Sequence, residues 1–246
     1  MTPLLRAELL KLRTTRTFVA VVGVTLALSL LVVVLTALLS DEFSARDARD
    51  LFSADFTGLF IMLLGVIGMA GEWRHRTITG TILAAPDRLR LMAAKMLAYA
   101  AAGVVLSLIV TVMIMLVGTI ILSSRDFETA AFSDLIDVLW RNLLVAALVG
   151  ALGVGIGALV RNQVVAIIGV LILGFVIEPA LFGLAPDVAK YGPTAGAPAG
   201  IQDIDFFGGD GETDALSPGV ATLVMLGWIA LFFAAAGVRL RSRDLV

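Results

Sequence analysis

Cysteine is absent from this 246-residue chain, and histidine occurs once, at His75. The first absence excludes disulfides, thiol chemistry, cysteine-ligated metals and lipid attachment through cysteine. The second removes most of the remaining metal chemistry, because one imidazole without a carboxylate cluster cannot build a zinc site. No Gly-x-x-x-x-Gly-Lys-Ser/Thr loop occurs, so the chain does not bind and hydrolyse ATP through such a loop. The acidic stretch with Asp203, Asp205, Asp210, Glu212 and Asp214 lacks the ligand a calcium loop needs at Phe207, and Thr213 breaks the glycine-rich alternative. No nucleic-acid partner, bound metal or catalytic residue is expected. A membrane-embedded enzyme would need paired polar side chains converging at one depth, and none are visible.

Apolar sequence is abundant instead. Hydrophobic residues make up 59% of the chain and the mean hydropathy is +1.01, far outside the soluble range. They gather in six runs, at 18–39, 56–71, 97–122, 143–160, 164–184 and 220–238. A helix of about 20 apolar residues crosses a ~30 Å hydrocarbon core, so each run reads as a span, the second and fourth with help from their flanks. Leu39 spoils a small-x-small cleavage site after the first run, which also exceeds the ~7–15 apolar residues of a signal peptide. The fold expected is an all-α membrane protein with an N-terminal interfacial helix over residues 1–17 and a six-span domain over 18–246.

The cations set the orientation. Thirteen of the eighteen Lys and Arg fall in the N-terminus, the loop after the second span, the turn at Arg161 and the C-terminus. Only Arg46, Arg49, Arg125, Arg141 and Lys190 fall on the other side, with fifteen of the acidic residues. Both termini are therefore expected in the cytoplasm. Fifteen Arg against three Lys points to a GC-rich bacterial genome, hence to a bacterial plasma membrane. Met1, Leu5, Leu9 and Leu12 form one stripe flanked by Arg6, Lys11 and Arg13, which suits a helix lying on the membrane surface. Residues 40–55 and 185–217 read as external loops, and Asp137 with Arg141 as a surface pair.

Two features inside the spans stand out. Gly150, Gly153 and Gly157 share a face of the fourth span and permit close helix packing, either within the subunit or across a dimer. Glu178 is the only ionisable residue well inside a span, and Pro179 follows it. A proline there removes a backbone donor, so the fifth span is expected to kink or break near Ile177. Glu178 then either lines a pathway or gate, or caps backbone groups and snorkels to the interface. An ion-coupled secondary transporter using Glu178 is the competing function, although such proteins show interruptions in both halves.

The segment from Glu72 to Lys95 is the most specific in the chain. Glu72 ends the second span, Thr77 to Thr81 follow with Gly80 among them, and Pro86, Arg88 and Lys95 lead into the third span. This pattern resembles the corresponding loop in permease subunits of type-2 ATP-binding-cassette (ABC) exporters. The resemblance extends to the basic N-terminal helix, the six spans and the chain length. It implies a short cytoplasmic coupling helix that offers Glu72, Arg74, His75, Arg76, Thr77, Thr79, Gly80, Pro86 and Arg88 to an ATPase. It also implies a cytoplasmic ABC ATPase partner that binds the ATP and magnesium, a second permease copy or paralogue, and transport directed outward. The residues alone fit a short helix stopped at Pro86, with Asp87 capping the helix that continues into the third span.

The lack of cysteine makes topology directly measurable. Ser44→Cys is expected to react with a membrane-impermeant maleimide on intact cells, and Ser242→Cys only after permeabilisation. The opposite pattern would invert the orientation.

Overall fold

The computed structural model describes residues 2–53, 55–74, 87–160, 162–204 and 215–241. Among them there are helices and no strands. Helix α1 covers Thr2–Thr14, α2 Arg16–Leu39, α3 Ala45–Ser53, α4 Thr57–Arg74, α5 Arg88–Ser124 and α6 Phe132–Leu159. Helix α7 runs over Gln163–Leu184. The short helices α8 (Pro186–Ala189) and α9 (Gly196–Gln202) and the long α10 (Pro218–Arg241) complete the chain. Six of these segments are long and apolar enough to cross a membrane, and they fall on the six apolar runs.

The spans differ in how far protein encloses them. In the fourth span 67% of the apolar window is buried, against 17% in the first, fifth and sixth. Helix α6 is therefore the axis of the bundle, and α4 and α5 pack directly on it. Their contact depends on glycine. A Cβ at Gly65 would lie 2.8 Å from the Gly150 carbonyl oxygen and 3.0 Å from the Val154 nitrogen. One at Gly150 would lie 2.7 Å from the Tyr99 carbonyl oxygen, and one at Gly157 2.8 Å from that of Val66. Gly153 faces the Met62 backbone in the same way. The glycine face of the fourth span thus packs within the subunit, where backbone meets backbone on α4 and α5.

Polar ends are tied down by local chemistry. Asp87 Oδ1 accepts from Leu89 and Arg90 nitrogens at 3.2 and 3.1 Å and caps α5. Asn162 Oδ1 does the same for α7, accepting from Val164 and Val165 at 3.0 and 3.3 Å. Arg125 Nη1 donates to the carbonyls of Ala37, Leu38 and Ser40, satisfying the C-terminal end of α2. At the opposite end of the bundle Arg239 Nη1 donates to the Leu159 carbonyl at 2.6 Å. That end also carries α1 and the start of α5, and we call it basal; the end with α3 and α9 is distal.

Both stretches read as external loops contain helices. In α3, Ala48, Leu51 and Phe52 are buried at helical spacing, an apolar face hidden within an acidic segment. Helix α9 is buried from Gly196 to Ile201 between α6 and α10. Asp203 ends it in the left-handed region at φ 60°, which Asp tolerates better than most residues. From there its carboxylate reaches Arg49 at 3.1 Å and Arg141 at 3.6 Å, and Asp137 bridges the same two arginines. Asp137 and Arg141 therefore do not form an isolated surface pair. The Arg141 side chain is only 13% exposed because α3 and α9 fold over it.

Replacing Gly153 with Leu is expected to force α4 off α6. Overpacking costs roughly 1–3 kcal/mol even where side chains can yield, and here the obstacle is backbone. Thermal unfolding of the detergent-solubilised protein should show a clear drop for Gly153→Leu and little change for Gly23→Leu, whose Cβ would meet nothing within 4 Å.

Candidate functional site

Helix α1 turns its inner face onto the basal ends of α4 and α5, and that face carries a carboxylate. Glu8 is 3% exposed and Lys95 1%. Lys95 Nζ stands 2.6 Å from Glu8 Oε2 and 2.8 Å from Glu72 Oε1. Lys11 closes the group from outside, 3.1 Å from both Glu8 Oε1 and Glu72 Oε1, with half of its side chain exposed. Two cations against two anions leave the cluster neutral, the condition under which burial is tolerated. Burial lowers the affinity of Lys11 for its proton, but Glu72 and Glu8 outweigh that and raise its pKa above 10.5.

The cluster joins three helices at the last turn of α4 and the first turns of α5. Glu72 belongs to the last turn of α4 and Arg74 is its exposed final residue; Arg88 opens α5. His75, Arg76, Thr77, Thr79, Gly80 and Pro86 lie outside the described residues. Glu178 and Pro179 are far from this group, at the distal end.

Glu178 is 1% exposed and faces α9. Its Oε1 accepts from the Thr194 nitrogen at 2.8 Å and from the Thr194 hydroxyl. Its Oε2 accepts from the nitrogens of Ala195 at 2.6 Å and Gly196 at 3.1 Å. Four donors around one carboxylate, three of them backbone groups leading into a helix, make a nest for a fixed anion. Gly192 permits the wrap, since a Cβ there would lie 2.5 Å from Glu178 Oε2. The fifth span does not break at Pro179. A π-turn over Leu173–Ile177 sets the Glu178 nitrogen on the Leu173 carbonyl, and the chain continues in α-geometry with Glu178 at φ −64°, ψ −45°. The wider turn changes the hydrogen-bonding register just before the proline, whose ring and missing donor would disturb a regular α-helix.

Between α2, α4, α6, α7 and α9 lies a cavity of about 440 Å³. Its walls are apolar, from Val32, Met62, Val145, Val149 and Phe175 among others, and one end carries Asp55, Asn142 and Gln202. A polar chain runs along that end. Gln202 Nε2 donates to Asn142 Oδ1 at 2.8 Å, Asn142 Nδ2 to Thr111 Oγ1 at 3.3 Å, and the Thr111 hydroxyl to Asp55 Oδ2 at 3.1 Å. Asp55 also accepts from the Thr57 nitrogen and hydroxyl, each at 3.0 Å. A void of this size with few, clustered polar groups has the character of a small-molecule site.

Glu8, Asp55 and Asn142 are functional candidates that pattern reading passed over, and Lys95, read only as part of the loop pattern, gains a charge partner it did not have in the sequence. Glu8 carried a signal: Leu5, Glu8 and Leu12 fall at i, i+3 and i+7, so a carboxylate sits on the apolar stripe. Lys95 sits among the buried positions Met92, Met96 and Tyr99 in the same way. Asp55 and Asn142 are legible only once α3 and α9 are seen to cover them.

The chain matches the family model described as ABC-2 family transporter protein over residues 4–177, well over half of its length. No curated protein matches the chain.

Lys95→Met is expected to strand two buried carboxylates and destabilise the fold by about 3–5 kcal/mol, the usual cost of breaking a buried ion pair. Adding Glu8→Gln should recover part of that loss, and Lys11→Met, half in solvent, should cost far less than Lys95→Met. Thermal melts of the solubilised variants rank the three. Because the Lys11 pKa is raised, its contribution is complete at neutral pH and is lost only as pH climbs through the raised value, above 10.5.

Proposed function

The chain belongs to the ABC-2 transporter family, and from this premise we propose that it is a permease subunit driven by a separate cytoplasmic ATPase. The observation that carries the reading is the clamp of Glu8 and Glu72 on Lys95. A force delivered to the 75–86 segment reaches α4 and α5 at the clamp, and α1 through Glu8. It moves three helices together instead of bending one. In this reading the segment is a coupling helix seated on the ATPase. Glu72, Arg74, His75, Arg76, Thr77, Thr79, Gly80, Pro86 and Arg88 form or support the docking surface. ATP and magnesium belong to the partner, and this chain supplies the path.

The basal end then faces the cytoplasm of a bacterial cell, with both termini there, and transport runs outward. The apolar outer faces of α2 and α7 are left for lipid and for a second permease, either another copy or a paralogue. The enclosed nest around Glu178 suits an immobile structural charge better than the proton carrier an ion-coupled transporter would need.

Co-expression with a candidate ATPase and purification in mild detergent provides the test. Wild-type chain should retain the ATPase, and Thr79→Asp or deletion of residues 77–83 should release it while the permease stays monodisperse. Full retention by both variants would remove the coupling role.

A further inference from the structure

Asp55 closes the distal end of the apolar cavity without a cation to answer it. The residue is partly buried, and it lines the cavity. Its donors are a backbone nitrogen and the hydroxyls of Thr57 and Thr111, none of them charged. No Lys, Arg or His among the described residues forms an ion pair with it. The five cations at this end lie against other groups: Arg49 and Arg141 with Asp137 and Asp203, Arg125 with the carbonyls that end α2, Lys190 with Asp187, and Arg46 near Asp47 and Asp50. Residues 205–214, outside the described set, contain acidic side chains and no basic ones, so they bring no counter-charge.

A partly buried carboxylate held only by neutral donors at the edge of an apolar chamber offers a place to a positive charge that arrives with its own apolar body. We infer that the cavity is a binding site for a lipophilic organic cation, whose charge sits against Asp55 and whose hydrocarbon lies among Leu59, Met62, Val145 and Val149. At about 440 Å³ the chamber lies within the range that holds a drug-sized molecule. Phe175, 61% exposed on the bundle surface, stands at its rim, so such a molecule enters from the lipid-facing side of α7. That this cation is cargo rests on the permease reading; that it binds does not.

The test uses the purified full chain in lipid nanodiscs, without ATPase or nucleotide, and two probes of related shape. Tetraphenylphosphonium carries the charge, and triphenylphosphine oxide has similar rings without it. Wild-type protein should bind the cation saturably, about tenfold or more tighter than the neutral probe. Asp55→Asn, which keeps the side chain's size, should erase that preference while neutral binding persists. Leu59→Trp, which fills the chamber, should abolish both. Equal affinity of the wild type for the two probes would overturn the inference, even if Asp55→Asn failed to fold. Undiminished cation binding by either variant would overturn it too, and would leave a lipid chain as the occupant where only Leu59→Trp weakened binding. ATPase retention plays no part in this measurement, so failure of the coupling role and failure of this site remain separable.

Discussion

A lysine ammonium that is 1% exposed must be surrounded by negative charge, because the interior offers no water to replace its hydration shell. Lys95 finds that charge on two other helices, and the arrangement of the whole basal end follows from it. Helix α1 could otherwise lie anywhere on a membrane surface; Glu8 fixes it against α4 and α5. The last turn of α4 could fray; Glu72 holds it at the third span. The carboxylates in turn take their neutralising charge from both lysines, the buried Lys95 first and the half-exposed Lys11 after it. A neutral hydrophobic cluster could have supplied as much stability. What the ionic one adds is definition of position, since ammonium and carboxylate must meet within about 3 Å.

Much of this architecture is legible in the residues. Six apolar runs, their lengths and the family resemblance of the Glu72 to Lys95 segment all come from one-dimensional pattern, because membrane crossing imposes length and composition directly. Asp87 as a helix cap and the close-packing role of Gly150, Gly153 and Gly157 are equally local, since each depends on geometry within one turn or one helix face. Other features depend on contacts between distant segments, and pattern alone could not reach them. The acidic stretch 40–55 hides a nine-residue helix because its inward face, Ala48, Leu51, Phe52 and Ser53, is small among charged neighbours. Pro179 pointed to a kink or break near Ile177; the irregularity found there is a π-turn over Leu173–Ile177, and the helix continues through the proline. Asp137 and Arg141 looked like a solvated pair until α3 and α9 were seen to lie over them.

The candidate site was less legible than the fold, for a physical reason. Composition reports the apolar majority of each span, while function sits in rare polar positions whose partners lie far away in sequence. Glu8 and Lys95 are 87 residues apart, and Asn142 and Gln202 are separated by 60. A polar residue in apolar register marks such a position without naming its partner. Glu8 and Lys95 both carry this mark.

The nest around Glu178 limits how the distal chamber can deform. Its hydrogen bonds rivet α9 to the fifth span, so the roof of the chamber and one of its walls travel as a single body. The glycine seam holds α4 on α6 just as firmly, joining floor to opposite wall. Gln202 bonds the same α9 to Asn142 of α6, so the roof is pinned to two walls at once and the chamber is least free to widen at its distal end.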